Sequence, residues 1–406
     1  MLKRTRSFLV LVMLLMTVTM SAQVTTATMS GKVTAQDEPI IGATIVVIHE
    51  PSGTRYGTVT NVSGQFNLQG MRTGGPYKVE ISYVGYQTAI YKGINLLLGE
   101  NYVLNVSLKE SSELLDEVVV TASKESNMKS DRAGAIMNAN RDMISNTPTI
   151  SRSISDIMRL SPQGADVGNG FAVGGGNYRQ SFVTVDGAAF NNTFGLGGNL
   201  PANGSPISLD ALEQVTVAVT PFDVRQSGFT GGAINAVTRS GDNQFRGTAY
   251  MYFNNENLKG SKVDDYELLR SKAQYYTYGA SFGGPIIKDK LFFFVNGEYE
   301  DNVTAGSNYR PRTALGESYS GGNIHRPLQS DMDDMRGFLL NKYNFDPGKY
   351  NDYSTDTPAY RVMARVDWNA NQNNKVSFRF TKTHTKDSNF PTSSVSPLST
   401  SALYPG

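Results

Sequence analysis

Cysteine is absent from the 406 residues. That excludes disulfides, thiolate metal sites and thiol nucleophiles together, so the chain has to be stable without covalent staples. Histidine is scarce. His49, His325 and His384 lie far apart and lack the spacing of a metal-binding helix. His49 is placed at the end of a strand; His325 and His384 are expected to be solvated in or beside loops. No charge of one sign dominates: 37 Lys and Arg face 36 Asp and Glu, for a net charge of +1. Bulk attraction to nucleic acid is therefore not expected. Neither a complete G-x-G-x-x-G nor a Walker A sequence occurs, so no nucleotide cofactor is implied, and energy would have to arrive through a partner. Asp331-Met-Asp-Asp334 lacks the glycine and terminal glutamate of a Ca²⁺ loop. Gly279-Ala-Ser-Phe-Gly283 fits a nucleophile-elbow string, but it lies in a strand-and-hairpin setting rather than a strand–turn–helix. No catalytic residue, metal or cofactor is assigned, and the chain is not read as an enzyme.

Long apolar runs are also missing, with one exception. Phe8 to Met20 follows Lys3, Arg4 and Arg6 and precedes Ser21-Ala22-Gln23. This reads as a signal peptide over 1–22; the run is too short for a spanning helix, the alternative being an uncleaved anchor. What the chain has in quantity is Gly (40), Tyr (21) and Phe (19). That mixture suits short strands, turns and aromatic belts, and the fold class expected is mainly β.

Residues 24–110 alternate Val-, Ile- and Tyr-rich runs with turns about every ten residues, as in a sandwich. The runs are Ile40–Ile48, Tyr77–Tyr83 and Tyr102–Leu108. Gly31-Lys-Val-Thr34, Pro39-Ile-Ile-Gly-Ala-Thr44, Thr60-Asn-Val-Ser-Gly-Gln-Phe66 and Ile81-Ser-Tyr-Val-Gly-Tyr86 resemble the carboxypeptidase regulatory-like domain, an accessory fold and not the peptidase.

Residues 111–123 carry an apolar run, Leu114 to Ala122, between polar flanks. Such a run has backbone groups to offer to another chain by strand addition; the alternative is a last strand of the preceding sandwich. Asp116-Glu-Val-Val-Val-Thr-Ala122 resembles the TonB box of outer-membrane transporters. The resemblance implies that Asp116, Glu117, Val118, Val119, Val120, Thr121 and Ala122 bind a TonB-type energy-coupling protein.

Residues 124–243 have a different texture. A short helix is expected within Thr149–Leu160, closed by Pro162. Leu160-Ser-Pro-Gln-Gly-Ala165, Gly174-Gly-Gly-Asn-Tyr-Arg-Gln-Ser-Phe-Val-Thr-Val-Asp-Gly187 and the stretch Leu209 to Arg239 resemble a transporter plug, the last piece being most similar to the Oar-like branch. Arg179, Asp186, Gly187, Gly231 and Gly232 follow as candidate plug residues. For the glycines, tight turns are the plainer reading.

Residues 244–406 alternate with period two in five expected strands: about 245–255, 274–286, 290–301, 360–369 and 375–386. Tyr360, Val362, Ala364, Val366 and Trp368 share one face; Arg361, Met363, Arg365 and Asp367 share the other. A barrel with a wet lumen puts the apolar face outward, whereas a soluble sandwich puts it inward, and spacing alone does not separate them. Short turns at 287–290 and 369–374 against a long stretch from Asn302 to Ala359 follow the barrel habit, with aromatic girdles expected at Phe292-Phe-Phe294 and at Tyr275, Tyr276 and Tyr278. Five strands cannot close in lipid without exposed amides, so these are expected to be the first strands of an incomplete barrel, in a chain read as an amino-terminal fragment.

The architecture expected is thus a β-sandwich, an α+β plug and the start of a transmembrane β-barrel in a Gram-negative outer membrane, with sandwich and plug facing the periplasm. The function the resemblance implies is energy-coupled, plug-gated transport of a large or scarce solute. The alternatives are a surface adhesin without transport and, more remotely, a peptidase. Partners expected are the coupling protein, outer-membrane lipid, an unidentified cargo (protein, peptide or glycan) and a possible surface lipoprotein.

Overall fold

A computed structural model describes residues 25–386, apart from 111–117, 122–135, 150–151, 168–169, 192–197, 199, 202–203, 220–230, 259–261, 265, 268–271, 306–309, 320–323, 351–352 and 372–373; of 118–121 it describes the backbone. The segment read as a signal peptide lies outside these residues, as do Asp116, Glu117 and Ala122. The described chain forms two compact units. One comprises the residues up to Gly247 with Ser281–Asn296 and Met363–Thr381; the other comprises Thr248–Ala280, Gly297–Val362 and the residues from Lys382.

The first unit opens with a sandwich. In one sheet β1 (Ala27–Ala35) pairs antiparallel with β4 (Gln65–Met71) and parallel with the short strands Asn101–Val103 and Val106–Ser107. The other sheet contains β2 (Thr44–His49), β3 (Thr54–Val59), β5 (Gly74–Ser82), β6 (Ala89–Leu96) and β7 (Val118–Thr121), in the order β7-β6-β5-β2-β3. Alternate residues turn inward along these strands. Met29, Val33, Ile45, Val47, Phe66, Tyr77, Val79 and Ile81 form one apolar core. Each buried aliphatic side chain contributes roughly 1.5–3 kcal/mol.

A second sheet system follows. β8 (Ile136–Ala139), β9 (Phe182–Val185), β10 (Leu212–Ala218) and β11 (Ala233–Thr238) stand in the order β8-β10-β11-β9. β10 and β11 are buried along almost their whole length, on both faces. That is how a sheet covered on two sides reads. Two helices pack on it. α1 (Arg141–Asn146) is capped by Asn140, whose side chain accepts from the Met143 amide. α2 (Ile154–Met158) is capped by Ser153, with Asp156 completing a capping box. The helix expected within Thr149–Leu160 is therefore a single turn. Ile154, Ile157 and Met158 are its buried apolar residues, and Pro162 lies beyond its end.

The largest sheet beyond these holds β12 (Arg246–Asn255), β13 (Gln274–Ile287), β14 (Leu291–Ala305), β15 (Ala359–Asn369) and β16 (Lys375–Thr385), each hydrogen-bonded to the next in that order, with the short strand Ser354–Asp356 paired to β14 as well. Its two faces are inverted relative to a soluble sheet. Along β15, Arg361 is 2% exposed, Arg365 6% and Asp367 7%, whereas Val362 is 43% and Trp368 51% exposed. On β14, Asn296, Glu298 and Glu300 are buried while Val295 and Tyr299 are exposed. On β16, Val376, Phe378 and Phe380 are all exposed. Apolar out and charged in is the pattern of a strand wall between lipid and a wet lumen, and it excludes the soluble-sandwich reading. The five strands do not form a closed ring.

Two sequence expectations are corrected here. The long stretch Asn302 to Ala359 holds α3 (Gln329–Tyr343) and the parallel pair Arg310–Arg312 and Ile324–Leu328. His325 lies in that pair and is fully buried, not solvated. The girdle beside the tight turn is not made by Phe292-Phe-Phe294, because alternate residues of a strand face opposite ways. Phe292 and Phe294 point inward and are buried. Only Phe293 joins the outward set, with Phe245 and Phe282 at ring separations of 6.5 and 5.7 Å.

Candidate functional site

Two places in the first unit gather the residues of interest. The first is the strand β7. Val118, Val119, Val120 and Thr121 pair in parallel with Ala89, Ile90, Tyr91 and Lys92 of β6. Four of the seven residues read as the partner-binding segment thus form a strand at the edge of the sandwich sheet. The alternative reading of the sequence, a final strand of the sandwich, describes this arrangement. Strand character itself is common to both readings.

The second is a polar network that joins sandwich, plug sheet and strand wall. Its centre is Asp367 on β15, which sits 2.8 Å from Nε of Arg365 and 3.2 Å from Arg72 of the sandwich. The hydroxyl of Ser377 donates to the same carboxylate at 2.6 Å, and that of Ser240 does so as well. Arg72 also donates to Ser240. From Arg365 the network continues into the plug, since Nη1 donates to the carbonyl of Thr238. The Thr238 amide donates to Asp186 at 3.0 Å, and Arg379 of β16 lies 3.4 Å from that carboxylate. Two barrel-strand arginines therefore hold two neighbouring plug residues. A buried carboxylate surrounded by two guanidinium groups and two hydroxyls has its charge compensated, which its burial requires.

The other candidate plug residues have plainer places. Asp186 and Gly187 have φ of 51° and 83°, the left-handed turn that joins β9 to Ala188–Ala189. Gly187 suits that turn because it has no Cβ. Gly232 immediately precedes β11, where a side chain would collide with Val173. Gly231 lies against Gln180. Arg179 is not brought to the network. It is exposed on the turn Tyr178–Gln180, and its guanidinium lies over the ring of Tyr178, 5.5 Å away.

Sequence reasoning missed Arg72, Ser240 and Arg379 as members of one cluster. Arg72 and Asp367 are 295 positions apart, so no local pattern joins them. The inward period of Arg361, Arg365 and Asp367 was the legible trace.

A cavity of about 840 Å³ opens beside the network, lined by Arg72, Arg141, Arg239, Arg365, Asp367 and Glu213 among others. His49 also borders it. Its Nδ1 is 2.7 Å from Ser52 Oγ, which is 2.7 Å from Thr54 Oγ1. This Ser–His contact is buried in the sandwich, and burial with the nearby Arg72 charge lowers the imidazole pKa to about 3. It is a neutral, hydrogen-bonded core histidine. Among the described residues no cluster of His, Asp and Glu is arranged to hold a metal.

Comparison with known proteins agrees with this geometry. A carboxypeptidase regulatory-like domain matches residues 28–109, and an outer membrane beta barrel domain matches residues 237–404. The TonB-dependent transporter Oar of Myxococcus xanthus is 25% identical over 393 residues, covering 90% of this chain and 35% of that protein. The TonB-dependent receptor SusC of Bacteroides thetaiotaomicron is 29% identical over 269 residues, covering 63% of this chain and 24% of that protein. This chain spans about a third of the length of the first and less of the second. The crystal structure of the siderophore receptor PirA from Acinetobacter baumannii aligns over 62% of this chain and 31% of its own, with 16% identity and a TM-score of 0.42. With the inverted strand wall and the matches at both ends, the chain carries a carboxypeptidase regulatory-like domain and an outer membrane beta barrel domain and is similar to TonB-dependent transporters, Oar and SusC among them.

Proposed function

We propose that this chain serves energy-coupled transport across the outer membrane, with the plug as gate and residues 116–122 as the handle. The observation that carries the proposal is the pair of contacts from barrel-strand arginines to the plug, Arg365 to Thr238 and Arg379 to Asp186. A gate has to be held at rest yet be releasable. Non-covalent polar contacts fulfil both conditions, since each is individually weak in net terms, on the order of 1–3 kcal/mol for charge-assisted bonds. In this reading sandwich and plug face the periplasm. A TonB-type protein pairs with residues 116–122 by strand addition and pulls, and part of the plug gives way. The cargo is a large or scarce solute (a protein, peptide or glycan), with a surface lipoprotein as companion at the outer face.

The test is removal of residues 116–122 from the full-length transporter. Uptake of its cargo should collapse to background, while the barrel remains folded by heat-modifiable migration and surface labelling. Undiminished uptake in a folded deletion protein would sink the proposal.

A further inference from the structure

Charge is not balanced around the cavity of about 840 Å³, whose lining residues all belong to the first unit. Two carboxylates are each divided between two guanidinium groups. Asp367 serves Arg365 at 2.8 Å and Arg72 at 3.2 Å; Asp210 serves Arg141 at 2.9 Å and Arg239 at 3.7 Å. Each pair of arginines thus carries one positive charge more than its carboxylate offsets. The other ionic groups on the wall do not make up the difference. Arg246 and Arg379 are balanced by Asp242 at 3.6 Å and Asp186 at 3.4 Å, and Asp142 is exposed in the first turn of α1. Burial raises the Glu213 pKa against the pull of Arg239, Arg141 and Arg72, which shifts that group toward its neutral form. A second observation is independent of charge. Gln214 on β10 borders the same cavity and is 2% exposed. Its Oε1 accepts from the Leu98 amide at 3.0 Å, which fixes the carboxamide. Its Nε2 is buried and meets no acceptor among the described residues. An unmatched buried donor costs stability, so such a group marks a place where an acceptor belongs.

We propose that this cavity is a binding site for a small phosphorylated anion, with Gln214 Nε2 donating to one of its oxygens and the arginines of the two shared pairs neutralising its charge. Guanidinium groups match oxyanions through paired N–H donors, and several of them around one space suit a multiply charged phosphate better than a single carboxylate. The volume is that of a site for a small organic molecule, within the usual range of about 300–1,000 Å³. The phosphate belongs either to a free solute or to a lipid headgroup. Arg72 comes from the sandwich, Arg141 and Arg239 from the plug, and Arg365 from the strand wall. One bound anion therefore braces all three, and its binding free energy adds to the stability of their joint arrangement. The inference does not depend on the transport reading.

The test is calorimetric titration of the protein, in phosphate-free buffer and non-ionic detergent, with pyrophosphate as the probe and chloride at matched ionic strength as the blank. Saturable binding at a single site is expected, with a rise in the thermal midpoint. Gln214→Glu keeps an oxygen for the Leu98 amide and puts a carboxylate oxygen in the place of Nε2. It should weaken pyrophosphate binding by about tenfold or more, because like charges then meet in the site, and it should abolish the midpoint shift. Arg55→Gln, at an exposed position of β3 outside the cavity, should change neither. Circular dichroism checks that each variant is folded; if Gln214→Glu is not, Arg239→Gln carries the same expectation. A second arm adds phosphatidylglycerol to the micelles. Competition with pyrophosphate assigns the site to a lipid headgroup, and binding of pyrophosphate without competition assigns it to a free anion. Absence of saturable binding of both probes would overturn the inference, as would equal binding by the wild-type protein and a folded Gln214→Glu or Arg239→Gln variant.

Discussion

A buried polar side chain has to be neutral or compensated, and His49 and Asp367 take the two routes. His49 is 5% exposed, ring-packed against Tyr77 at 4.9 Å, and its pKa is lowered to about 3 by burial and by Arg72. Between that value and the ordinary 6.5 the unfolded chain binds a proton that the folded chain does not. Stability from this group is therefore complete above about pH 6.5 and declines as pH falls toward 3, by up to about 1.4 kcal/mol per pH unit. We predict that His49→Gln flattens the acid limb of the sandwich's denaturation curve between those values, measured by urea unfolding at a series of pH values. An unchanged limb would mean that His49 is solvated. Asp367 is compensated instead. Asp367→Ala would leave Arg365, 6% exposed, without its carboxylate. Removing one partner of a buried pair costs about 3–5 kcal/mol, so the folded fraction in urea should shift by that order. Asp367→Asn, which keeps the shape and part of the hydrogen bonding, should shift it less.

At the scale of the element, the strand wall makes a sharper prediction than composition does. Val362 and Val62 are both exposed, at 43% and 77%. Val62 lies in a sandwich turn and faces water; Val362 lies on the apolar face of β15. Val362→Arg near the middle of the bilayer should cost about 2–4 kcal/mol, and Val62→Arg close to nothing. Heat-modifiable folding of the protein in liposomes reads the difference, and equal tolerance would put β15 outside the membrane. The same strands were the most legible part of the sequence. Period two is local, and the expected limits 245–255, 274–286, 290–301, 360–369 and 375–386 differ from the observed strands by a few residues at most. The helices were less legible. α1 is six residues long and announces itself through a single cap, Asn140. α3 has mostly exposed faces, with Met332 as its buried residue, so no apolar stripe marks it. The polar network was not legible at all, because it is assembled from positions brought together by the fold.

Across the whole first unit, the sandwich is tied to the plug and strand wall by a set of polar contacts beside one small apolar pair, Leu98 with Val237. Its own core is separate from that of the plug. The ties are Arg72 to Asp367, Asn369 to Thr54, the Leu98 amide to Gln214, Asn138 to Glu100 and the Asn243 amide to Pro51. An interface of that kind resembles a reversible one between domains, and its ionic part is screened by salt. Arg72 is the central tie, since it serves both Ser240 and Asp367. Arg72→Ala should therefore release the sandwich without unfolding it. The expected observation is faster protease cleavage between sandwich and plug at low salt, by about fivefold, equivalent to roughly 1 kcal/mol of lost docking. The liberated sandwich should keep its native circular dichroism. High salt should bring the wild-type protein toward the variant's rate. If both cut equally slowly at every salt concentration, the ionic ties do not hold the sandwich, and tension on residues 118–121 would reach the plug by some route other than Arg72 and Asp367.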